Sequence, residues 1–520
     1  MKIAVFAALI LALGLAPVGA SWQDTPTVPS NPIDAYFSGV WNSKGVKPSG
    51  PAPELAFFRR LHFDLYGRGP SADEIRAWIK DKSPDKRAKL IDRMVAGDEC
   101  AEFFADVWLD ALIDHSMTYQ DFLRTDVGPL RRWLRTCFYE DVPYDRIVRS
   151  LLSDRGSRRE NPAVNFSLKH LNGDPVPVKL ATMSARLFLG RDIRCAQCHD
   201  HPYSDLTQEE FWGYLEFFRP LRNAGDLVER PQPPRGPKRL DFGEMRDLQP
   251  RFLDGRPALA DKSLGQSLAD LTLTTKDRSC SRAFIERTWR HFFGKRLMST
   301  PAEKNHDILA ATLAERFERE EWSMRKLLRT ILTSKVYQMD SKGKEADRAL
   351  YAAGPLKPLG PLQFMRAYTD AFDLHDEHRK AYEKMTANPE TGEQLKDPEV
   401  LKVLFYTWAR DLLLPRGRDP EEDPAYGTPR MAMKFMNNQR LQSMINATWK
   451  DSLLGKILAK KSKPSERIEE LTLALLGRMP TTWEKNEFGE HLKERFTFVG
   501  EGYEDIFWVL MNSTEFLFIH

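Results

Sequence analysis

The chain is poor in cysteine and carries almost no excess of charge of either sign. Only 5 of its 520 residues are Cys, which excludes a small scaffold braced by disulfides. Its 77 Lys and Arg residues nearly balance 74 Asp and Glu residues, for a formal net charge of +3. Because the basic residues form no block, the charge gives no reason to expect nucleic acid as the partner. The length is sufficient for two or three buried domains.

Beyond its first residues, the sequence has no apolar run long enough to span a membrane. Residues 1–20 join a positive start, a short apolar stretch and a small-residue site that ends at Ala20. This order is typical of a signal peptide cleaved after Ala20. The alternative, a transmembrane anchor, needs a longer apolar stretch. We therefore expect an exported protein, periplasmic or extracellular, with no integral membrane anchor.

Motifs of several common enzyme classes are also missing. The sequence contains no G-x-S-x-G, no H-E-x-x-H, no P-loop and no dinucleotide-binding fingerprint. Hydrolase, metalloprotease and nucleotide-binding functions therefore have no motif to support them. The sequence leaves open whether the protein is an enzyme.

Strand-like alternation is scarce as well, and apolar residues recur mostly at helical spacing. The segments Ser71–Glu74 and Thr207–Glu210 predict capping boxes that open helices. Ser83 is interpreted as the N-cap of a further helix, with Pro84 at its first position. We predict a mainly α fold with two helical domains.

A linker between these domains is predicted from prolines that break any helix between residues 219 and 275. The Asp254-Gly255 turn indicates a small β hairpin within it. A charged segment at about 378–428 is interpreted as an insertion in the second domain. The predicted divisions are a signal peptide over 1–20, an N-terminal extension over 21–52, a helical domain over 53–220, the linker over 221–275 and a companion helical domain over 276–520.

One motif occurs twice in the chain. Residues 61–74 and 471–484 both have the pattern L-x-x-x-L-x-G-R-x-P-[ST]-x-x-E. Each copy predicts a helix, a glycine at its end and a new capped helix. The two copies are either a duplication or independent uses of the same helix-hairpin pattern.

Cys195, Cys198 and His199 form the pattern C-x-x-C-H, which is typical of c-type haem attachment. Two thiols at this spacing can bond to the two vinyl groups of one haem, and the adjacent imidazole can then ligate the iron. Export supports this interpretation, because c-type haem is attached outside the cytoplasm. We expect one covalent haem c, held by Cys195 and Cys198, with His199 as the proximal iron ligand.

Other chemistry is compatible with the same residues. Cys195 and Cys198 could form a redox dithiol or a structural disulfide, although the βαβ context of thioredoxin-like proteins is missing. With His199 or His201 they could hold zinc, although no fourth ligand follows at a typical spacing. The three remaining cysteines allow at most one further bridge. Residues 375–378, with two histidines, are interpreted as a solvated helix face rather than a metal site.

The surroundings of the motif are apolar at helical spacing on both sides. These residues form either ordinary core or the walls of a haem pocket. Arg186, Arg191 and Arg194 are candidates to pair with haem propionates, or else they are solvated. The apolar residues are Leu180, Met183, Leu187 and Phe188 upstream, and Phe211, Tyr214, Leu215 and Phe218 downstream.

The sequence does not fix the sixth ligand of the iron. Met183 or His170 is the candidate for the distal side, and His115 and Met117 are further options. If none of them binds, the iron keeps an open position. An open position favours binding of a small molecule over simple electron transfer.

Several longer segments resemble a pair of planctomycete domains described as cytochrome-like but of unknown function. The first, PSCyt-type domain is similar over residues 57–68, 83–93, 108–110 and 194–203. The resemblance implies a secreted, helical protein that carries haem and whose activity is not settled. The usual PSD-type companion domain is similar over residues 282–295, 332–338, 435–438 and 475–481.

Two features depart from the pattern of these relatives. Many relatives carry an additional N-terminal module with its own C-x-x-C-H, whereas this chain has one such motif. A row of several haems within the chain is therefore not expected. Residues 378–428 also exceed what the companion domain needs, and they either cover a binding face or are a solvated excursion.

We hypothesise a redox role, either as an electron carrier or as the haem module of an extracytoplasmic oxidoreductase. The counterpart would be a redox partner protein or an extracellular substrate, neither of which the sequence identifies. The alternatives are a haem enzyme that acts on an extracellular polymer, such as a polysaccharide, and a non-enzymatic cell-surface interaction protein.

Overall fold

A computed structural model describes most of the chain between residues 31 and 520. The predicted signal peptide, the insertion at 378–428, the candidate ligands His115 and Met117, and the histidines of 375–378 lie outside the described residues. The described residues are 31–113, 128–171, 177–229, 239–240, 243–244, 248–298, 306–372, 433, 436–437, 445–450, 452–495 and 499–520.

The described residues are mainly helical, which confirms the predicted fold class. The first ten helices are α1 (Pro32–Lys44), α2 (Glu54–Tyr66), α3 (Ala72–Lys80), α4 (Lys86–Ala96), α5 (Asp98–Leu112), α6 (Gly128–Tyr139), α7 (Tyr144–Ser153), α8 (Val164–His170), α9 (Val178–Leu189) and α10 (Gln208–Leu215). A short 3-10 helix, Arg194–Gln197, lies between α9 and α10.

The remaining helices follow the linker region. They are α11 (Leu264–Leu273), α12 (Ser279–Phe293), α13 (Asp307–Arg319), α14 (Met324–Leu332), α15 (Lys335–Gln338), α16 (Glu345–Ala349), α17 (Pro361–Phe372), α18 (Leu453–Lys460), α19 (Pro464–Leu476), α20 (Thr482–Glu494), α21 (Val499–Met511) and α22 (Thr514–Leu517).

Strands occur in three antiparallel pairs among the described residues. The first two pairs lie in the predicted linker, whereas the third joins β5 to the end of the chain. The strands are β1 (Leu221–Asn223), β2 (Leu227–Glu229), β3 (Arg239–Leu240), β4 (Gly243–Glu244), β5 (Lys357–Pro358) and β6 (Phe518–Ile519).

Local signals placed two of the three predicted N-caps correctly. Both capping boxes are formed, with Ser71 and Thr207 as the N-caps of α3 and α10. The prediction for Ser83 is wrong, because α4 begins at Lys86 with Asp85 as its N-cap residue. Ser83 lies three residues before the first helical residue, and its hydroxyl donates to the Asp81 carboxylate (2.6 Å).

The linker region contains more structure than its prolines suggested. The Asp254-Gly255 turn is present and is closed by a single bridge between Arg251 and Pro257. Helix α11 then begins after Ser263, whose hydroxyl accepts a hydrogen bond from the Gln266 N–H. This serine-based capping box lies within the predicted linker and ends its irregular part.

The repeated motif has the same side-chain geometry in both copies. Arg68 donates two hydrogen bonds to the Glu74 carboxylate (3.0 and 3.1 Å) and two more to the Glu99 carboxylate (2.7 and 2.9 Å). Its Nη1 also donates to the Gly69 carbonyl (3.0 Å). We call this arrangement the arginine staple, because one guanidinium ties the start of α3 to the start of α5.

The second arginine staple reproduces the first bond for bond. Arg478 donates two hydrogen bonds to Glu484 (2.7 and 2.8 Å), two to Glu515 (both 2.7 Å) and one to the Met479 carbonyl (3.0 Å). Five equivalent hydrogen bonds in two distant segments favour a duplication over chance similarity. The second staple ties α20 to α22.

Two hydrophobic cores organise the described residues. The first core is formed by α1–α15 and by Tyr351 and Ala352, and it includes Phe284 and Trp289 of α12. The second core is formed by β5 and α17 through β6, which we call the C-terminal unit. Phe63 of α2 is buried in the second core, and Leu473 of α19 in the first. Each unit therefore inserts a side chain into the other.

Candidate functional site

The C-x-x-C-H motif lies on a short turn held by the fold on both sides. Helix α9 ends at Gly190, whose φ of 65° is the left-handed conformation that glycine adopts without strain. The chain then enters the 3-10 helix Arg194–Gln197, which is anchored by the fully buried Ile193 and Ala196. The functional groups are thereby held on a fixed turn at the surface.

Cys195 and Cys198 are both exposed, and neither is in a disulfide. They share one turn, in which the Cys198 N–H donates to the Cys195 carbonyl (3.4 Å). Two thiols on the same turn are accessible to one planar ligand or to one metal ion.

His199 is held in a tautomer that suits a ligand. Its Nδ1 lies 2.7 Å from the Asp200 carbonyl oxygen, which can only accept, so Nδ1 carries the proton. In the neutral imidazole, Nε2 then has a free lone pair. Hydrogen bonding of the other ring nitrogen to a backbone carbonyl is the usual support of a metal-bound histidine.

The loop after the motif is fixed by hydrogen bonds of its own. The His201 N–H donates to the Leu206 carbonyl (2.8 Å), and the Gln208 N–H donates to the Asp200 carboxylate (2.8 Å). Tyr203 is 88% exposed at the tip of this loop. The loop therefore presents polar groups and one aromatic ring beside the two thiols.

The other three cysteines are buried thiols: Cys100, Cys137 and Cys280. Burial raises the pKa of Cys100 and of Cys137 to about 12, and it also raises the pKa of Cys280. Because the thiolate is the reactive form, these three side chains are inert at neutral pH. Reactive thiol chemistry in the described chain is thus confined to Cys195 and Cys198.

The three arginines near the motif have different surroundings. Arg194 is exposed and grips the Asp192 carboxylate (2.5 to 3.0 Å), and Arg191 lies 3.4 Å from the Asp277 carboxylate. Arg186 is half-buried on α9. A propionate would therefore compete with Asp192 for Arg194, which is the arginine nearest in sequence to Cys195.

The two described candidates for the distal ligand are engaged elsewhere. His170 is buried, and its Nε2 donates to the Leu112 carbonyl (2.8 Å). Met183 is half-buried on α9 and packs against the first core. Both stay predictions as ligands.

The apolar residues on either side of the motif belong to the protein core. Phe211 and Tyr214 of α10, and Leu187 and Phe188 of α9, are almost fully buried. In the parts of the chain that the structure covers, no three His, Cys, Asp or Glu side chains are grouped to hold a metal ion. No helix in those parts has the length and apolar character needed to cross a membrane.

Sequence reasoning missed a second polar cluster, at the joint between the two units. The Asp64 carboxylate is completely buried and contacts Lys357 Nζ (2.7 Å), and it accepts a hydrogen bond from the Tyr337 hydroxyl (2.8 Å). His291 Nε2 donates to the Asp64 carbonyl (2.8 Å). The sequence of α2 contained a signal of this cluster. Within Phe57–Leu65, apolar residues lie on the same side of the helix as the charged residues, so the helix has no purely polar face to turn toward water.

The comparisons with known proteins agree with this architecture. Residues 32–223 match the family model PSCyt2, a protein of unknown function (DUF1549), and residues 266–412 match PSD1, a protein of unknown function (DUF1553). The two matches cover about two thirds of the chain. No curated protein and no solved structure matches it.

These matches define the class as helical proteins with two paired domains of unknown function. This chain carries a match to PSCyt2 followed by a match to PSD1, the two paired domains in that order along the sequence. The resemblance inferred from the sequence is confirmed. The C-x-x-C-H motif lies inside the PSCyt2 match, and the second arginine staple lies beyond the end of the PSD1 match.

Proposed function

We propose that this protein is an exported, cytochrome-like protein with one covalent haem c and a redox role. Cys195 and Cys198 would hold the haem by thioether bonds, and His199 would ligate its iron. The role would be electron transfer, or service as the haem module of an extracytoplasmic oxidoreductase. The counterpart would be a redox partner protein.

One observation carries this proposal. Two exposed thiols share a turn with an imidazole whose Nδ1–H is bound to a backbone carbonyl, which leaves Nε2 free to ligate. This donor set fits haem c, and the inert state of the buried cysteines leaves no competing thiol in the described chain. When bound, the haem would supply a one-electron couple at its iron.

The chain's own residues would set the surroundings of that group. The Asp200 carbonyl would orient the His199 ring and raise its basicity as a ligand. Ile193 and Ala196 would hold the turn against the first core, so that the spacing of the two sulfurs stays fixed. Since the turn is at the surface, a partner could approach the haem edge.

Expression with and without haem-maturation machinery tests the cofactor. We expect the pyridine haemochrome spectrum of covalent haem c, with a ratio of one haem per chain. Cys198→Ala should lose most of the covalent absorbance. The matched control is Cys137→Ala, which removes a buried thiol outside the motif and should keep the covalent absorbance.

Three results would overturn the proposal. Well-folded protein without covalent haem, after expression with the machinery, rejects the cofactor. Stoichiometric zinc that is removed by a chelator with loss of structure supports a zinc site instead. A stable Cys195–Cys198 disulfide in the mature protein identifies the motif as a structural clip.

The ferric spin state tests the distal side. Because His170 and Met183 are engaged elsewhere, we expect a high-spin spectrum, with water or an added small ligand in the sixth position. A low-spin spectrum would instead indicate a strong protein ligand. His115→Ala and Met117→Ala would then show whether it comes from outside the described residues.

A further inference from the structure

The joint between the C-terminal unit and the rest of the molecule differs from the two cores that it separates, because it contains buried charged side chains. Among the described residues, every buried Asp, Glu, Lys or Arg lies at this joint or, in the case of Arg131, contacts a carboxylate that does. The rest of the described interior holds apolar and uncharged polar side chains, together with histidines. The buried charged residues are Arg59, Arg60, Asp64, Asp106, Arg131 and Lys357.

Three of these six charges, Asp64, Lys357 and Asp106, are paired with a charge across the joint. Lys357 of β5 contacts Asp64 of α2 (2.7 Å). Arg366 of α17 donates to the Asp106 carboxylate of α5 (2.5 Å), which Arg131 also contacts (2.5 Å). Interfaces between movable units are more polar than cores, since water can replace each partner when the units separate.

The last residues of the sequence close this joint. We call residues 513–520 the strap. Arg59 of α2 donates to the Phe518 carbonyl (2.8 Å) and the Phe516 carbonyl (3.2 Å), and the neighbouring Arg60 donates to the His520 carbonyl (3.3 Å). These bonds attach the strap to α2.

The other edge of the strap is attached to the C-terminal unit itself. Strand β6 pairs with β5, and the Leu359 N–H donates to the Leu517 carbonyl (2.9 Å). The second arginine staple holds the base of the strap, because Arg478 binds Glu515 of α22. The strap thus lies between α2 and β5 and is bonded to both.

We infer that the strap is a latch, and that the molecule opens at this joint rather than within either core. Opening would separate α2 from β5 and bring the Asp64 carboxylate, the Lys357 ammonium and the Tyr337 hydroxyl into contact with water. The second arginine staple controls the latch, whereas the first staple ties α3 to α5 and has no contact with the strap. Because the two staples have the same hydrogen bonds, substitution of Arg478 and of Arg68 gives a matched pair of variants.

The test compares Arg478→Met with Arg68→Met by hydrogen exchange followed by mass spectrometry. Each substitution removes the same five hydrogen bonds, but only the first releases Glu515. We expect amide exchange of residues 355–364 to become at least about tenfold faster in Arg478→Met than in the unmodified protein. In Arg68→Met, exchange of those residues should stay within about twofold of the unmodified protein.

The second readout is the strap itself. Deletion of residues 516–520 should give the same faster exchange in residues 355–364 and in α2, while the helices of the first core away from the joint, such as α7 and α11, keep their protection. Equal effects of the two arginine variants, or no effect of either, would overturn the inference. If an arginine variant does not fold, Glu515→Gln against Glu99→Gln gives the same comparison with a smaller change.

Discussion

Two histidines in the C-x-x-C-H loop have different tautomers because of their backbone contacts. His199 donates from Nδ1 to the Asp200 carbonyl, whereas His201 accepts at Nδ1 from the Tyr203 N–H (3.2 Å). In its neutral form, His201 therefore carries its proton on Nε2. The ring nitrogen that faces away from the backbone is an acceptor in one histidine and a donor in the other. This favours His199 over His201 as the ligand.

The Lys357–Asp64 pair gives a prediction at the scale of one residue. Lys357→Met leaves the Asp64 carboxylate buried without its cation, and loss of one partner of a buried pair costs about 3–5 kcal/mol. The substitution also removes the Lys357 hydrogen bond to the His291 carbonyl. We expect the free energy of unfolding to fall by that amount in urea titrations.

The double variant is the control for this prediction. Asp64→Asn combined with Lys357→Met removes both charges, so it should recover part of the loss. If Lys357→Met alone leaves the unfolding free energy unchanged, the pair does not contribute as the structure indicates.

At the scale of elements, the motif predicted the helix hairpins because its signals act locally. Ser71 and Thr481 cap their helices through contacts three residues away, and Gly67 and Gly477 end the preceding helices with φ near 70°. The start of α4 was missed because residues 84–85 form a turn before the helix, so Pro84 is not its first residue. Ser-Pro is compatible with such a turn as well as with a helix start, and the sequence does not separate the two.

The two glycines give a comparative prediction. A β-carbon on Gly67 would lie 2.3 Å from the Phe103 ring, whereas one on Gly477 would lie 3.2 Å from the flexible Arg59 side chain. Both alanine variants also incur the left-handed backbone cost of about 1–2 kcal/mol. We expect Gly67→Ala to lower Tm clearly more than Gly477→Ala, as measured by thermal unfolding. Equal Tm values would contradict the described contact with Phe103.

At the scale of the molecule, the sequence predicted the mainly α fold and the family, but not the joint. Periodicity and caps describe one helix at a time, whereas Arg59 meets Phe518 from the other end of the chain. The exposed thiols of Cys195 and Cys198 are compatible with the expected haem, which stays a prediction. The arginine staples were missed for the same reason as the joint, since Glu99 and Glu515 lie outside the repeated pattern.

The buried histidines predict a loss of stability in acid. Burial lowers the pKa of His291 and of His306 to about 4, from an ordinary value near 6.5. The unfolded chain therefore binds more protons than the folded chain between these values. Stability is complete above about pH 6.5 and falls as the pH decreases toward 4.

Thermal unfolding at a series of pH values checks this dependence. His306→Gln should flatten the decrease between pH 6.5 and 4, because one group with a displaced pKa is removed. Glu74 and Glu484 act at lower pH. Burial raises the pKa of both, but hydrogen bonds from His62 and Arg68 to Glu74, and from Arg478 to Glu484, outweigh it and lower the pKa below an ordinary value near 4.5. A Tm that stays constant from pH 7 to 4 would contradict the histidine assignment.

The strap also sets an order of folding. Arg59 and the Phe518 carbonyl are 459 positions apart in the sequence, so this contact requires the closure of a very long loop. The first core can form from residues 33–352, almost without the C-terminal unit. Until the strap docks, the Arg59 guanidinium lacks both of its carbonyl partners, whereas Arg60 keeps those at Tyr337 and Met339. We expect refolding to show a late phase in which the strap and residues 355–364 become protected, after the helices of the first core, α2 included.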